Sequence, residues 1–280
     1  AFAQTHDPSR TEKYSFISTI ELLDKFKELG WEPKYAKQAG TSHFARHIIR
    51  LTNPEMEYLG TLNDNVEPQI LLDNSHNGKS SAKIHIGLFR LVCSNGLIVS
   101  VPGLYTMVKF KHMGVDTEEL KKVMEEVVEN YEKIAKHISE MQSVKLTKEQ
   151  KEEFAINAFA LRNKRKFVNK DGTIKEKVIN ERVDVPSLTK PIREADEKDD
   201  LWSVFNVVQE RMINGGDLLQ TRSKTGRKSK AKPITHAIRN VKYNRKLWEL
   251  AERYVPQYYE YTTKSGETMP VEIVEDLDDD

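Results

Sequence analysis

Residues 73–97 read DNSHNGKSSAKIHIGLFRLVCSNGL, and this run decides how the chain folds. Two Asn-Gly pairs, Asn77-Gly78 and Asn95-Gly96, bracket an apolar stretch in which Ile84, Ile86 and Leu88 alternate with Lys83 and His85. A period of two puts alternate side chains on opposite faces of a strand. Asn-Gly is the strongest short-range signal for a hairpin turn, because both central residues of that turn take a positive φ. The pattern predicts an antiparallel hairpin of residues 69–73 and 81–88 about Asn77-Gly78, with a second reversal at Asn95-Gly96. The largely apolar run 87–93 also allows a helical start. Asn74, His76, Lys79, Ser80, Ser81 and Arg90 are more polar groups than an ordinary core needs. The expectation is a sheet edge that presents them for binding.

Upstream, Ser18 and Glu21 fit a capping box, Leu22, Leu23, Phe26 and Leu29 recur at helical spacing, and Gly30 supplies a stop, so a helix spans about 19–29. Strands are predicted over 31–39 and 43–51, the second with Phe44, Arg46, Ile48 and Arg50 on one face and His43, Ala45, His47, Ile49 and Leu51 on the other. Downstream, 97–101 and 105–111 are strand candidates parted by Pro102-Gly103. The period then changes. Asp116 and Glu119 open a long helix with a stripe of Leu120, Met124, Val127, Val128, Tyr131, Ile134, Ile138 and Met141, and Thr147 with Gln150 opens another carrying Phe154, Ala155, Ala158 and Leu161. Strands first and helices afterwards indicate an α+β class: an antiparallel sheet with a packing N-terminal helix, then a long helix and a mostly helical C-terminal part.

Residues 163–200 are polar, charged and carry Asp171-Gly172, Pro186 and Pro191, the composition of a long, partly mobile insertion or linker. Helices return near 201–213 and 234–254. The expected division is an α+β core domain over 14–162, the linker over 163–200, a helical part with a basic loop over 201–262 and an acidic tail over 263–280.

The chain of 280 residues is long enough for one large or two small domains. No apolar run approaches the roughly 20 residues of a membrane span, and the first residues lack the pattern of a signal peptide. The expectation is a soluble protein of the bacterial cytoplasm, with no membrane partner. The single cysteine, Cys93, excludes an intrachain disulfide and a cysteine-rich zinc site, and its apolar flanks suit a buried thiol.

The net charge of +1 averages two opposed blocks. Residues 221–246 hold Arg222, Lys224, Arg227, Lys228, Lys230, Lys232, Arg239, Lys242, Arg245 and Lys246 with no acid among them, whereas Glu267, Glu272, Glu275, Asp276, Asp278, Asp279 and Asp280 close the chain without a base. Such asymmetry points to a polyanion-binding segment and an acidic interaction tail. In RSKTGRKSKAK, small polar residues between cations suit a flexible loop that follows phosphates without reading bases. Tyr243 and Trp248 lie just downstream, and aromatics beside cations form the usual platform for unpaired bases. They equally fit core positions of the last helix. Arg46 and Arg50, with Lys109 and Lys111 on a later strand, extend a cationic groove over the sheet or are solvated edge charges.

Asp73, His76 and Lys79 together offer acid-base or phosphodiester chemistry, but a turn rich in Asn, Asp, Ser and Gly is also what hairpins use. No Walker loop, GxSxG or HExxH is present. His43 and His47 have no cysteine or carboxylate beside them to complete a metal site. No catalytic residue, metal or cofactor is expected.

On DNSHNGKSSAKIHIGLFRLVCSNGL, supported by FKELGWEP, FARHIIRL and NRKLWELAERY, the chain resembles the family known as domain of unknown function nine-three-two. That resemblance implies a phage- or plasmid-borne origin and no settled activity. The order helix, Gly30-Trp31, strands and packing helix is similar to the ring-forming single-strand annealing proteins of recombination, which hold a DNA backbone in a cationic groove. The expectation is a non-enzymatic protein of phage or plasmid recombination or replication that binds or anneals single-stranded DNA as a homo-oligomeric ring or filament. Arg46, Arg50, Lys109, Lys111 and the basic loop take phosphates in this reading, and Asn74, His76, Lys79 and Arg90 organise the groove or hydrogen-bond the strand. The acidic tail would meet a host or phage protein. The alternatives are a protein-binding effector that inhibits a host defence system, and a metal-dependent nuclease centred on Asp73 and His76.

Overall fold

In the computed structural model, which describes residues 3–10, 16–56, 66–78, 82–90, 95–98, 108–109 and 117–255, helix α1 (Thr19–Glu28) begins at the expected cap. The Ser18 hydroxyl accepts from Glu21 N at 3.3 Å, and Thr19, Leu22 and Phe26 form the buried face. Gly30 sits at φ 82, in the left-handed region that glycine enters without strain. The reversal lets Trp31 N donate to Phe26 O at 2.9 Å and buries the indole.

Six strands follow: β1 (Glu32–Gln38), β2 (His47–Thr52), β3 (Val66–Asn74), β4 (Lys83–Arg90), β5 (Asn95–Ile98) and β6 (Val108–Lys109). They form an antiparallel sheet in the order β1-β2-β3-β4-β5, with β6 also pairing β4. After them come α2 (Thr117–Ser143), α3 (Lys148–Arg162), α4 (Lys164–Phe167), α5 (Glu176–Arg182), α6 (Val185–Thr189), α7 (Leu201–Asn214), the strand pair β7 (Gly216–Arg222) and β8 (Lys228–Ala231), and α8 (Ala237–Glu252). The α+β class holds.

The expected hairpin exists, with Asp73 opposite Lys83 and Ile70 opposite Ile86. It is not closed by a two-residue turn, however. Residues 75–82 connect the strands, because Ser75 and His76 are drawn into the interior before the chain reverses. Asn77 and Gly78 lie within that reversal, Gly78 at φ 69, whereas the second Asn-Gly pair comes after one: Asn95 and Gly96 open β5 and stand opposite Arg90 and Phe89. The helical alternative fails over 87–90, which pair with β3 on one side and β5 on the other; residues 91–93 lie outside the described residues. Cys93, Lys79, Ser80, Ser81, Lys111 and the acidic tail lie outside the described residues.

The chain forms two compact units, Ala1–Ser139 with Ile234–Trp248, and Glu140–Pro233 with Glu249–Asp280. This replaces the expected division at residue 162. In the first unit, register puts His47, Ile49, Leu51, Ile70, Leu72, Asn74 and Ile84 on one face of the sheet. Thr19 of α1 covers the polar end of that face. The opposite face carries Ile48 and Leu71, packed by Val241 of α8. From α2, Tyr131, Ile134 and Ile138 are buried, and the Tyr131 hydroxyl donates to Gln69 O at 2.5 Å.

The second unit is built around α7, whose residues Leu201 to Ile213 are all buried. A helix covered on every side sits inside a helical unit rather than on it. Phe154, Ala155, Ala158 and Phe159 of α3 pack in the same core, the Phe154 and Phe205 rings standing 6.4 Å apart. Thr147 and Gln150, which open α3 as expected, do so through a capping box. Residues 163–200 are not a mobile linker. They fold into α4, α5, α6 and a 3₁₀ turn at Glu194–Asp196, and they bury Phe167, Ile179, Val183, Val185 and Leu188. The apolar residues are spaced singly between charges there, which hides a folded segment from a compositional reading.

Candidate nucleic-acid interface

The polar residues of the signature stretch serve the interior of the first unit. The Thr19 hydroxyl is 2.8 Å from His47 Nε2 and 3.1 Å from His76 Nε2, and it accepts from Asn74 Nδ2 at 3.0 Å. His47 Nδ1 lies 3.0 Å from Ala45 O, which can only accept. His47 therefore carries its proton on Nδ1, and its bare Nε2 accepts from Thr19. The hydroxyl then uses its one proton on His47 and its two lone pairs on Asn74 and His76, which is all that a hydroxyl has. Asn74 is also bound to Ile17 O and to Ser75 N, and the Phe16 and His76 rings are 4.9 Å apart. Burial is the main force pushing the His47 pKa down to about 4, and the nearby His76 adds to it.

This arrangement corrects the expectation of a binding edge. Asn74 and His76 are 2% and 0% exposed, and their polar atoms tie the end of β3 to α1. Nor does the structure bring Asp73 and His76 of the acid-base trio together; its third member, Lys79, lies outside the described residues. Asp73 turns to the other face of the sheet from Asn74 and accepts from Arg46 Nε at 2.7 Å and from Arg46 Nη2, with His85 Nε2 at 3.8 Å. Burial would raise the Asp73 carboxyl, but the hydrogen bonds from Arg46, helped by the nearby His85 imidazole, outweigh it and hold the group below its ordinary range.

Arg46 and Arg50 do share a face, as the alternation indicates, but neither is a bare phosphate ligand. Arg46 is committed to Asp73. Arg50 stands opposite Tyr35, with its guanidinium carbon 4.7 Å from the ring centroid, and burial lowers its pKa. Lys109 is opposite Lys83, which is opposite Asp73. Arg90 lies in β4, opposite Val66 and Asn95. Tyr243 is buried in α8 at 5% exposure, so its ring gives no stacking surface, and Trp248 is buried as well. Here the core alternative is the correct one, and the reason is spacing: Tyr243, Leu247 and Leu250 recur at helical intervals.

The cations of the basic stretch lie at the surface. It is a β-hairpin, not a loose loop: Arg222 stands opposite Lys228, Thr221 opposite Ser229 and Gln220 opposite Lys230. Ser223 organises the tip, donating its N–H to Arg227 O at 2.8 Å and accepting at its hydroxyl from Thr225 N and Arg227 N. At the base Gly215 takes φ 58 where a Cβ would run into Ala231 O. Arg222, Lys224, Arg227, Lys228, Lys230 and Lys232 are all exposed. Among the described residues only Lys230 of these has a carboxylate partner, Asp217 at 2.6 Å. In the first unit, α8 exposes Arg239, Lys242 and Lys246.

The model of a family described as domain of unknown function, DUF932, matches residues 8–248. The chain belongs to this family. It is 30% identical over 261 residues to the UPF0380 protein YafZ of Escherichia coli K12, covering 91% of this chain and 88% of the relative. It is 29% identical to the UPF0380 protein YfjQ of the same organism, with the same coverage. No solved structure gives a significant match. Two features of this DUF932 chain escape a reading of the sequence. His47 is a core residue, although its place in the run His47-Ile48-Ile49-Arg50-Leu51, on the face of Ile49 and Leu51, is a signal for burial. Arg211, buried near the end of α7, is hidden in a segment whose periodicity shows only a helix.

Proposed function

We propose that this protein binds single-stranded DNA through the phosphate backbone, using the β7–β8 hairpin as its principal contact, and that it does so without catalysing a reaction. The supporting observation is the fixed display of Arg222, Lys224, Arg227, Lys228 and Lys232 at the surface, none of them matched to a carboxylate among the described residues. Such a display draws in a polyanion and releases its counterions. A hairpin set by cross-strand pairs and by the Ser223 bonds keeps the charges in place. Since the stretch offers no buried aromatic pocket for a base, recognition is of backbone and not of sequence. On this reading the protein works as an oligomer in phage or plasmid recombination or replication.

Fluorescence anisotropy with a labelled single-stranded oligonucleotide, titrated across salt concentrations, tests the proposal. The expected result is an association constant that falls steeply with salt, by roughly 0.7 logarithmic units per phosphate contact for each tenfold change in salt. Absence of salt-sensitive binding in dilute buffer overturns it.

A further inference from the structure

We infer that a cleft in the second unit, bounded by α6 and the residue before it, α7 and the β7–β8 hairpin, is a binding site for the phosphate ester of a single nucleotide. The inference deepens the nucleic-acid reading above and rests on it for the class of molecule that brings the phosphate. The cleft has a volume of about 270 Å³, near the small end of ligand pockets, roughly 300 Å³.

Two features call for an anion. Arg211 lines the cleft and is only 9% exposed. Its guanidinium donates to Leu218 O at 2.9 Å and to Lys190 O at 2.6 Å, both of them neutral carbonyls. Its Nε is buried with no hydrogen-bond partner, and the neighbouring acid, Glu210, is taken by Arg193 at 2.6 and 2.7 Å. No carboxylate among the described residues is hydrogen-bonded to Arg211; the Glu210 charge acts on it only through space and does not offset the burial that lowers the Arg211 pKa, so the buried cation is incompletely compensated. Arg222 and Lys228 also line the cleft and face each other across the hairpin, where like charges repel. An anion between these three cations relieves both penalties at once, and a phosphate is the anion that guanidinium forks fit best.

The rest of the lining narrows the ligand. Asp184 and Asp217 are on the cleft wall. Asp217 is bridged to Lys230 at 2.6 Å, whereas Asp184 has no salt-bridge partner among the described residues. A free inorganic phosphate gains nothing from that carboxylate. A nucleotide does, because its sugar hydroxyl or base N–H can donate to Asp184 while the phosphate stays with the cations. The Gln220 amide on the same wall offers a further donor and acceptor.

Calorimetric titration of the full chain with thymidine monophosphate, thymidine and inorganic phosphate tests the inference. Thymidine monophosphate should bind about tenfold tighter than either of the others, and R222Q/K228Q should weaken it by about tenfold, with the fold checked by circular dichroism. A second variant, K224Q/R227Q, changes only the hairpin tip. It should weaken oligonucleotide binding and leave thymidine monophosphate unaffected. Equal affinity for thymidine and its monophosphate, or no response to R222Q/K228Q, overturns the cleft while oligonucleotide binding stands or falls on its own. Nucleotide binding without oligonucleotide binding keeps the cleft and removes the single-strand reading. Oligonucleotides with and without a 5′-phosphate separate the sources: tighter binding of the phosphorylated strand assigns the cleft to a strand end, and equal binding assigns it to a free nucleotide.

Discussion

The Thr19 hydroxyl donates to Nε2 of His47 at 2.8 Å, so the first turn of α1 reads the protonation state of a residue in the sheet. If His47 gains a proton, its Nε2 becomes a third donor aimed at a hydroxyl that has only two lone pairs, and the Thr19 proton loses its acceptor.

Stability should therefore fall with acid. In the folded state the His47 pKa is pushed down to about 4, first by burial, from an ordinary 6.5. Above 6.5 both states are neutral and this residue adds no pH dependence. Between 6.5 and about 4 the unfolded chain binds the proton and the folded chain does not, so folding weakens as the pH drops, by about 1.4 kcal/mol per unit at most. Urea unfolding at pH 7 and pH 5 should show the loss, and His47→Gln should reduce the slope. A slope that the substitution leaves unchanged would assign the acid sensitivity to other groups.

Arg46 and Asp73 predict an asymmetric pair of variants. Arg46→Gln leaves a buried carboxylate without its guanidinium partner and should destabilise by roughly 3 to 5 kcal/mol. R46Q/D73N removes the charge as well and should be milder than R46Q alone. Thermal unfolding of both variants measures the coupling. Because the Arg46 charge is already neutralised, R46Q should alter oligonucleotide affinity of the folded protein less than twofold. A large loss of affinity with the fold intact would return Arg46 to the interface.

Gly215 holds the base of the hairpin. Gly215→Ala forces a side chain into a positive φ and into the backbone of Ala231 and Lys232, with an expected cost of more than about 1 kcal/mol. Amide exchange should show β7 and β8 losing protection before α3 does. Uniform loss, or none, would mean that the hairpin base tolerates the clash.

Charge removal at Arg227, Lys228 and Lys230 together should lower affinity for all sequences and flatten the salt dependence by up to about two logarithmic units. Selectivity for one sequence after the change would show that these residues are not plain phosphate contacts.

If the protein binds DNA as proposed, the acidic block from Glu272 to Asp280 should compete with it for the cations, and deleting that block should relieve the competition. Affinity should rise in dilute buffer and change little at high salt, since screening weakens the competition. Identical affinity in both buffers would leave the tail no part in binding.

The sequence revealed elements where local physics is decisive. Ser18 and Thr147 cap their helices as read, and the alternation of Arg46, Ile48 and Arg50 predicted their shared face. It misled where a residue's role depends on contacts far along the chain. Nothing near Asn74 or His76 says that Thr19, more than fifty residues earlier, will absorb their polar atoms. Tyr243 beside cations looks like a stacking platform until the fold shows it buried on the same helical stripe as Leu247 and Leu250. The basic stretch hid its strands because lysine and serine carry little strand propensity.

That contact between Val241 and the sheet has a consequence for synthesis. The face bearing Ile48 and Leu71 is finished by a segment that leaves the ribosome roughly 170 residues after Leu71, on the order of ten to thirty seconds at ordinary elongation rates. Throughout that interval the nascent sheet keeps an apolar face open in the crowded cell. The unit cannot mature ahead of the region inserted within it, and a prematurely terminated chain is left with a surface that chaperones must guard.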